Sequence, residues 1–329
     1  MRILFAGSPA IAVPALEAVF ALSADHRDGS RGFELAGLLT NPDSPRGRRG
    51  EAVPTELAAA AERLAAAGKA PVPALKPEKL DAEARRLAAA LEPDLLVSFA
   101  YGRIFGPKFL SLFPLGGINI HPSLLPKYRG PTPIQAAILN RERETGITIQ
   151  KLALEMDAGD ILAQERFPLN GRETAAGLSE IMARKAADLL PAVLRGIAEE
   201  TLRARPQDPG GVSRCALIAK EAGLIDWTKS APEIDARIRA FDPWPLSWTT
   251  HGERRLFILK AEPLDDAAAP APPGRVLGID KERGILIQTG KGTLAAAALQ
   301  YQAKKAQDWR TFLNGARNFI GCRLGVVKE

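Results

Sequence analysis

The stretch Gly116-Gly-Ile-Asn-Ile-His-Pro-Ser-Leu-Leu-Pro-Lys-Tyr-Arg-Gly130 concentrates the residue types that do chemistry. If Gly117 to His121 is a strand, alternation sets Asn119 and His121 on one face, while Ile118 and Ile120 fill a core on the other. An amide donor then lies beside an imidazole. His121 precedes Pro122 and Leu125 precedes Pro126, so both are pushed out of the α region and the chain leaves the strand as a stiff extended turn. Such a turn can present backbone amides and carbonyls to a flat heterocycle. The pair also has a purely structural reading, with Asn119 capping a turn and His121 a hydrogen-bonded interior histidine. A carboxylate joins them from further along: Asp157, in Glu155-Met-Asp-Ala-Gly-Asp160, sits in the first loop after a predicted strand and can reach the same sheet end. A carboxylate beside an imidazole holds the ring and favours its charged form. Asp160 reads instead as a brace for the turn.

The elements that must position these groups alternate between strand and helix. Strands are predicted at Arg2–Ala6, Phe33–Thr40, Pro71–Leu75, Asp94–Ala100, Gly117–His121, Gly146–Leu154 and Ile161–Phe167. Helices are predicted at Ile11–Leu22, Val53–Ala67, Pro77–Leu91, Pro107–Phe113 and Thr132–Arg143. This order implies an α/β unit, a Rossmann-like mostly parallel sheet with helices on both faces, and ligands beyond the carboxyl ends of its strands. Asn119, His121 and Tyr101-Gly102 all fall at such ends. The first βα turn holds one glycine where a dinucleotide fingerprint needs three, so a bare dehydrogenase is disfavoured. A long helix, or two broken at Pro191, spans Thr174–Leu202, and Arg205-Pro-Gln-Asp-Pro-Gly-Gly211 has the composition of a linker. Helix Ala231–Ala240 and five short strands between 246 and 299 then predict a small, OB-like β-barrel. Near the end, Trp309 and Phe312 read as core aromatics of a helix.

Composition narrows the class. The 329 residues are 46% apolar and 25% charged, ordinary for a globular protein and long enough for two domains. Of the net +6, residues 206–329 carry +4, an excess that suits an anionic partner without requiring one. Two cysteines, Cys215 and Cys322, have neither metal nor disulfide spacing, and three histidines argue against a catalytic metal. Met1-Arg2-Ile3-Leu4-Phe5 runs at once into Gly7 with no export signal or membrane span, so a cytoplasmic location is expected. The loop Asn41-Pro-Asp-Ser-Pro-Arg-Gly-Arg-Arg-Gly50 carries Arg46, Arg48 and Arg49. It reads either as a phosphate-seeking element or as a solvated charged loop.

Asn119, His121, Ser123-Leu-Leu-Pro126 and Asp157 together resemble the signature of the folate-dependent formyltransferases. Phe5-Ala-Gly-Ser-Pro, Thr40-Asn-Pro-Asp, Tyr101-Gly, Asp226-Trp227, Asp242-Pro-Trp-Pro245 and Gly315 to Arg323 extend the resemblance over essentially the whole chain, to the branch of that family that acts on tRNA. The resemblance implies a catalytic domain at 1–204, a linker at 205–218 and an OB-like tRNA-binding domain at 219–329. It implies 10-formyltetrahydrofolate as donor, initiator methionyl-tRNA as acceptor, no metal, and a monomer.

By the same resemblance, Asn119, His121 and Asp157 are catalytic. Ser123, Leu124, Leu125, Pro126, Tyr101 and Gly102 bind the folate, and Arg46, Arg48, Arg49, Lys304 and Lys305 meet tRNA. Where the family's arginine loop continues with a basic run, this chain has Arg49-Gly50-Glu51. The implied chemistry uses Asn119 and a protonated His121 as donors to the developing oxyanion, with Asp157 keeping the ring charged. Alternatives are an amino sugar or other small amine as acceptor, and a non-catalytic RNA-binding protein.

Overall fold

The computed structural model describes residues 1–24, 32–46, 50–67, 71–264 and 271–325. They divide into two compact units. One comprises Met1–Pro133, Glu144–Pro168 and Ser179–Cys215, the other Ile134–Arg143, Leu169–Leu178 and Ala216–Glu329.

In chain order the elements are β1 (Arg2–Gly7), α1 (Val13–Ala24), β2 (Glu34–Leu39), β3 (Ser44–Arg46), β4 (Glu51–Val53), α2 (Glu56–Ala66), β5 (Ala74–Leu75), α3 (Ala82–Ala89), β6 (Leu95–Phe99), α4 (Pro107–Leu110), β7 (Gly117–His121), α5 (Pro133–Leu139), β8 (Glu144–Lys151), β9 (Ile161–Pro168) and α6 (Ala175–Ala198). The first unit holds a seven-stranded sheet in the order β5-β2-β1-β6-β7-β8-β9. It is parallel from β5 to β7 and antiparallel at β8 and β9. Consecutive residues Ile3, Leu4, Phe5 and Ala6 of β1 are all fully buried. Neighbours on a strand face opposite ways, so both faces of the sheet are covered. The mostly parallel, helix-covered sheet expected from the sequence is therefore present.

Differences from the expected bounds have local causes. Helix α2 starts at Glu56 and not Val53 because the Thr55 hydroxyl caps it, accepting from the Ala58 N–H. Helix α3 starts at Ala82 and not Pro77 because Asp81 accepts from the Ala84 N–H. Helix α6 runs unbroken through Pro191. Part of the arginine-rich loop is a small hairpin, β3 paired with β4, with Arg46 opposite Glu51. Arg48 and Arg49 lie outside the described residues.

The second unit continues with α7 (Ala231–Ala240), β10 (Ser247–His251), β11 (Arg254–Leu264), β12 (Val276–Asp280), β13 (Gly284–Gln288), β14 (Thr293–Tyr301), β15 (Gln307–Asp308) and α8 (Trp309–Gly315). Its strands form one antiparallel sheet, β10-β11-β14-β13-β12, with β15 added to β14. Every predicted strand of this region is present. Alternate residues such as Leu256 and Ile258, or Ile285 and Ile287, point into a core completed by Ile234 and Ile238 of α7 and by Phe312 and Phe319. Trp309 packs partly buried against it. Glu233 accepts from both the Ser230 N–H and hydroxyl at the start of α7, and Asp308 caps α8. Among the described residues no helix is long and apolar enough to cross a membrane.

Candidate active site

Strand β7 ends where the sequence places the chemistry, and two polar rows run across the sheet from it. Asn119 pairs with Gln150 of β8, and His121 pairs with Thr148. Thr148 pairs in turn with Gln164 of β9. Cross-strand partners share a face, so Asn119, His121, Thr148, Gln150 and Gln164 form one polar patch, while Ile118, Ile120, Ile147 and Ile149 are buried on the other side.

Asp157 closes this patch from the β8–β9 loop. Its Oδ1 accepts from Gln150 Nε2 at 3.0 Å and from Asn119 Nδ2 at 3.3 Å. Its Oδ2 accepts from the Gly130 N–H at 2.8 Å, and Oδ1 lies 3.6 Å from His121 Nδ1. The Asp157 side chain is 12% exposed and that of His121 5%. The three residues that the sequence nominates from two separate segments therefore meet around one carboxylate.

The ring orientation of His121 is set on its other side. Nε2 lies 2.9 Å from the Tyr128 carbonyl oxygen, which can only accept, so Nε2 carries a proton. Burial pushes the His121 pKa below its usual value, outweighing the Asp157 carboxylate and the Tyr128 carbonyl, which act in the opposite direction. Burial thus opposes the charged ring that the Asp157 carboxylate 3.6 Å away favours. Desolvation of the buried imidazole is the larger effect.

The Ser123-Leu-Leu-Pro126 turn is braced from the same patch. The Thr148 hydroxyl donates to the Ser123 carbonyl and accepts from the Leu125 N–H, and Gln164 Nε2 donates to the Leu125 carbonyl. Ser123 is fully buried, and its hydroxyl donates to the Lys127 carbonyl. Leu125 is also buried, whereas Leu124 and Pro126 are partly exposed. Gly102, at a φ of +80°, is exposed just beyond β6. The Tyr101 side chain, 2% exposed, stacks on Phe105 at 5.4 Å between ring centres and belongs to a core cluster. Its backbone carbonyl accepts from Asn41 Nδ2. Lys304 and Lys305 are exposed in the second unit, in the turn after β14.

Several site residues escape the sequence reading. Gln150 was legible in principle, since Ile147-Thr-Ile-Gln150 alternates apolar and polar on a strand that buries both faces. Arg129 and Gln207 carry no such signal, and Gln207 falls in the segment whose composition reads as a linker. That segment is bonded to the site loop: Ser213 N–H donates to the Pro126 carbonyl, Arg129 N–H to the Ser213 carbonyl and Cys215 N–H to the Arg129 carbonyl. The Cys215 thiol lies under the same turn, and burial pushes its pKa up.

Residues 10–194 match the formyl transferase family, and residues 217–317 match the formyl transferase C-terminal domain. The chain is 47% identical to the methionyl-tRNA formyltransferase of Treponema denticola, over 97% of this chain and 98% of that protein. It is 44% identical to that of Treponema pallidum, over 99% and 100%. Among solved structures, an N-formyltransferase from Helicobacter canadensis, in complex with folinic acid and dTDP-3-aminofucose, superposes with a TM-score of 0.63 at 21% identity, over 90% of this chain and 99% of that one. HypX from Aquifex aeolicus in complex with tetrahydrofolic acid superposes with a TM-score of 0.61 at 17% identity, over 97% of this chain and 48% of that one.

Proposed function

The chain belongs to the formyl transferase family, and we infer that it formylates the amino group of initiator methionyl-tRNA for translation initiation, with 10-formyltetrahydrofolate as donor. The observation that carries this reading is the convergence of Asn119 and His121 on Asp157, in a chain that matches methionyl-tRNA formyltransferases from end to end.

The methionyl amine attacks the formyl carbon, a new N–C bond forms, and the carbonyl oxygen gains charge as the centre becomes tetrahedral. Asn119 Nδ2 has two N–H groups; one is tied to Asp157 and the other donates to that oxygen. The attacking nitrogen must shed a proton, and neutral His121 accepts it at Nδ1, directly or through a water. The ring then becomes an imidazolium beside the Asp157 carboxylate, which stabilises the charge that burial disfavours at rest. As the bond from carbon to N10 of the folate breaks, this proton passes to N10, so the resting state returns without a covalent enzyme intermediate.

The folate lies against Ser123, Leu124, Leu125 and Pro126, with Tyr101 and Gly102 nearby. Buried Ser123 and Leu125 shape the wall, and their neighbours Leu124 and Pro126 offer the exposed surface. Arg46, Arg48 and Arg49 enter the acceptor end of the tRNA, where opening a weak terminal pair is cheap. Lys304 and Lys305 add phosphate contacts from the second unit. On this reading residues 1–204 are the catalytic domain, 205–218 join it to 219–329, which bind tRNA, and the enzyme works as a cytoplasmic monomer without a metal.

Incubation with 10-formyltetrahydrofolate and either initiator methionyl-tRNA or small amines tests the reading. Formyl product on the tRNA supports it, whereas product only on an amino sugar, or none, contradicts it.

A further inference from the structure

We propose that Gln207 is a positioning residue for Asp157, holding the catalytic carboxylate in place by its side-chain amide from outside the sheet. The proposal rests on the formyl-transfer reading above and adds a member to its machinery. Asp157 has a φ of +54°, the left-handed region that a residue with a side chain occupies only when its surroundings enforce it. The Asp157 and Gly159 carbonyls both accept from Gln207 Nε2, at 2.8 and 2.7 Å. The same nitrogen lies 3.2 Å from Gln150 Oε1, whose own Nε2 donates to Asp157 Oδ1. One amide thus fixes the backbone of the catalytic residue and, through Gln150, the orientation of its carboxylate.

The other end of Gln207 is fixed as firmly. Its Oε1 accepts from Arg129 Nε at 3.0 Å and Nη2 at 2.8 Å. Arg129 is itself buried, and its Nη1 lies 3.4 Å from Glu155 Oε1. With a guanidinium on the oxygen side and three oxygens on the nitrogen side, the amide has one admissible orientation. This separates two roles. A Glu at 207 keeps the acceptor for Arg129 but loses the donors to the Asp157 loop, so a mere anchor for Arg129 tolerates it and a positioner of Asp157 does not.

The test compares Gln207→Glu and Gln207→Ala with the parent chain. Misplacing a catalytic group by about 1 Å typically costs on the order of 10²-fold in rate. Both variants are expected to lose about 10- to 100-fold in kcat, with KM for donor and tRNA and the unfolding midpoint little changed. In an Asp157→Asn background, Gln207→Glu is expected to add less than about twofold, because the two act through one group. The His121 ring-nitrogen NMR shift, which reads the neighbouring carboxylate and needs no acceptor, should move in both Gln207 variants. Parental kcat in Gln207→Glu, a loss confined to KM, full multiplication in the Asp157→Asn background or an unmoved His121 signal would each overturn the proposal. If Gln207→Glu does not fold, Gln207→Ala decides by the same readings. A parent that leaves the tRNA unformylated counts against the functional reading, while the His121 signal still tests Gln207.

Discussion

At the scale of single residues, the site sets a buried imidazole beside a carboxylate, His121 Nδ1 lying 3.6 Å from Asp157 Oδ1. Burial depresses the His121 pKa, so the folded chain binds this proton less tightly than the unfolded chain, whose imidazole titrates near 6.5. The stability linked to His121 is therefore complete above about pH 6.5 and is lost as pH falls through the lower, folded value. In the proposed mechanism this ring is the base, so its contribution to the rate also fails on the acid side and gives no alkaline limb. An NMR titration of the three histidines checks this, and a His121 midpoint above 6.5 would refute it. Replacing Asn119 with Ala removes one oxyanion donor and should cost on the order of 10²–10³ in kcat while tRNA binding persists. That Asn119 and His121 share a strand face was legible from their two-residue spacing, and their meeting with Asp157 from its place in the next loop. The burial that depresses the His121 pKa was not, since the sequence names the neighbouring Asp157 but not how far packing excludes water from the ring.

At the scale of elements, the β8–β9 loop carries Asp157 and the β3–β4 hairpin carries Arg46. The loop closes tightly enough that a Cβ on Gly159 would lie 1.8 Å from the Lys151 carbonyl oxygen. Gly159→Ala must therefore displace the segment bearing Asp157, with an overpacking cost of about 1–3 kcal/mol and a drop in kcat, read by thermal unfolding and by turnover. On the proposed function, we expect that Arg48→Ala weakens tRNA formylation while folate binding stays at parental strength. Equal initiator-tRNA kinetics in variant and parent would remove Arg48 from the account. Most elements were legible from periodicity, and capping residues Thr55 and Asp81 explain where helices begin later than the apolar pattern suggests. The bonding of residues 205–215 was not legible. Pro, Gly and Gln have the composition of a linker, and nothing local to Gln207 announces carbonyls and a guanidinium contributed from distant points in the chain.

At the scale of the whole molecule, a formyl transferase unit and an antiparallel β unit occur on one chain, and kinship with methionyl-tRNA formyltransferases covers both. Fold alone leaves the acceptor open, because an N-formyltransferase solved in complex with dTDP-3-aminofucose shares it at 21% identity. The arginines at 46, 48 and 49 and the basic excess of residues 206–329 favour an anionic, nucleic-acid acceptor, and a comparison of initiator with elongator methionyl-tRNA should show faster formylation of the initiator. The most direct measurement follows labelled formyl from 10-formyltetrahydrofolate onto initiator methionyl-tRNA, with the parent chain beside Asp157→Asn. The account predicts label on the methionyl amino group with the parent, and a rate at least about 10²-fold lower in the variant. Label that never reaches the tRNA, or that reaches it equally fast in both, would contradict it.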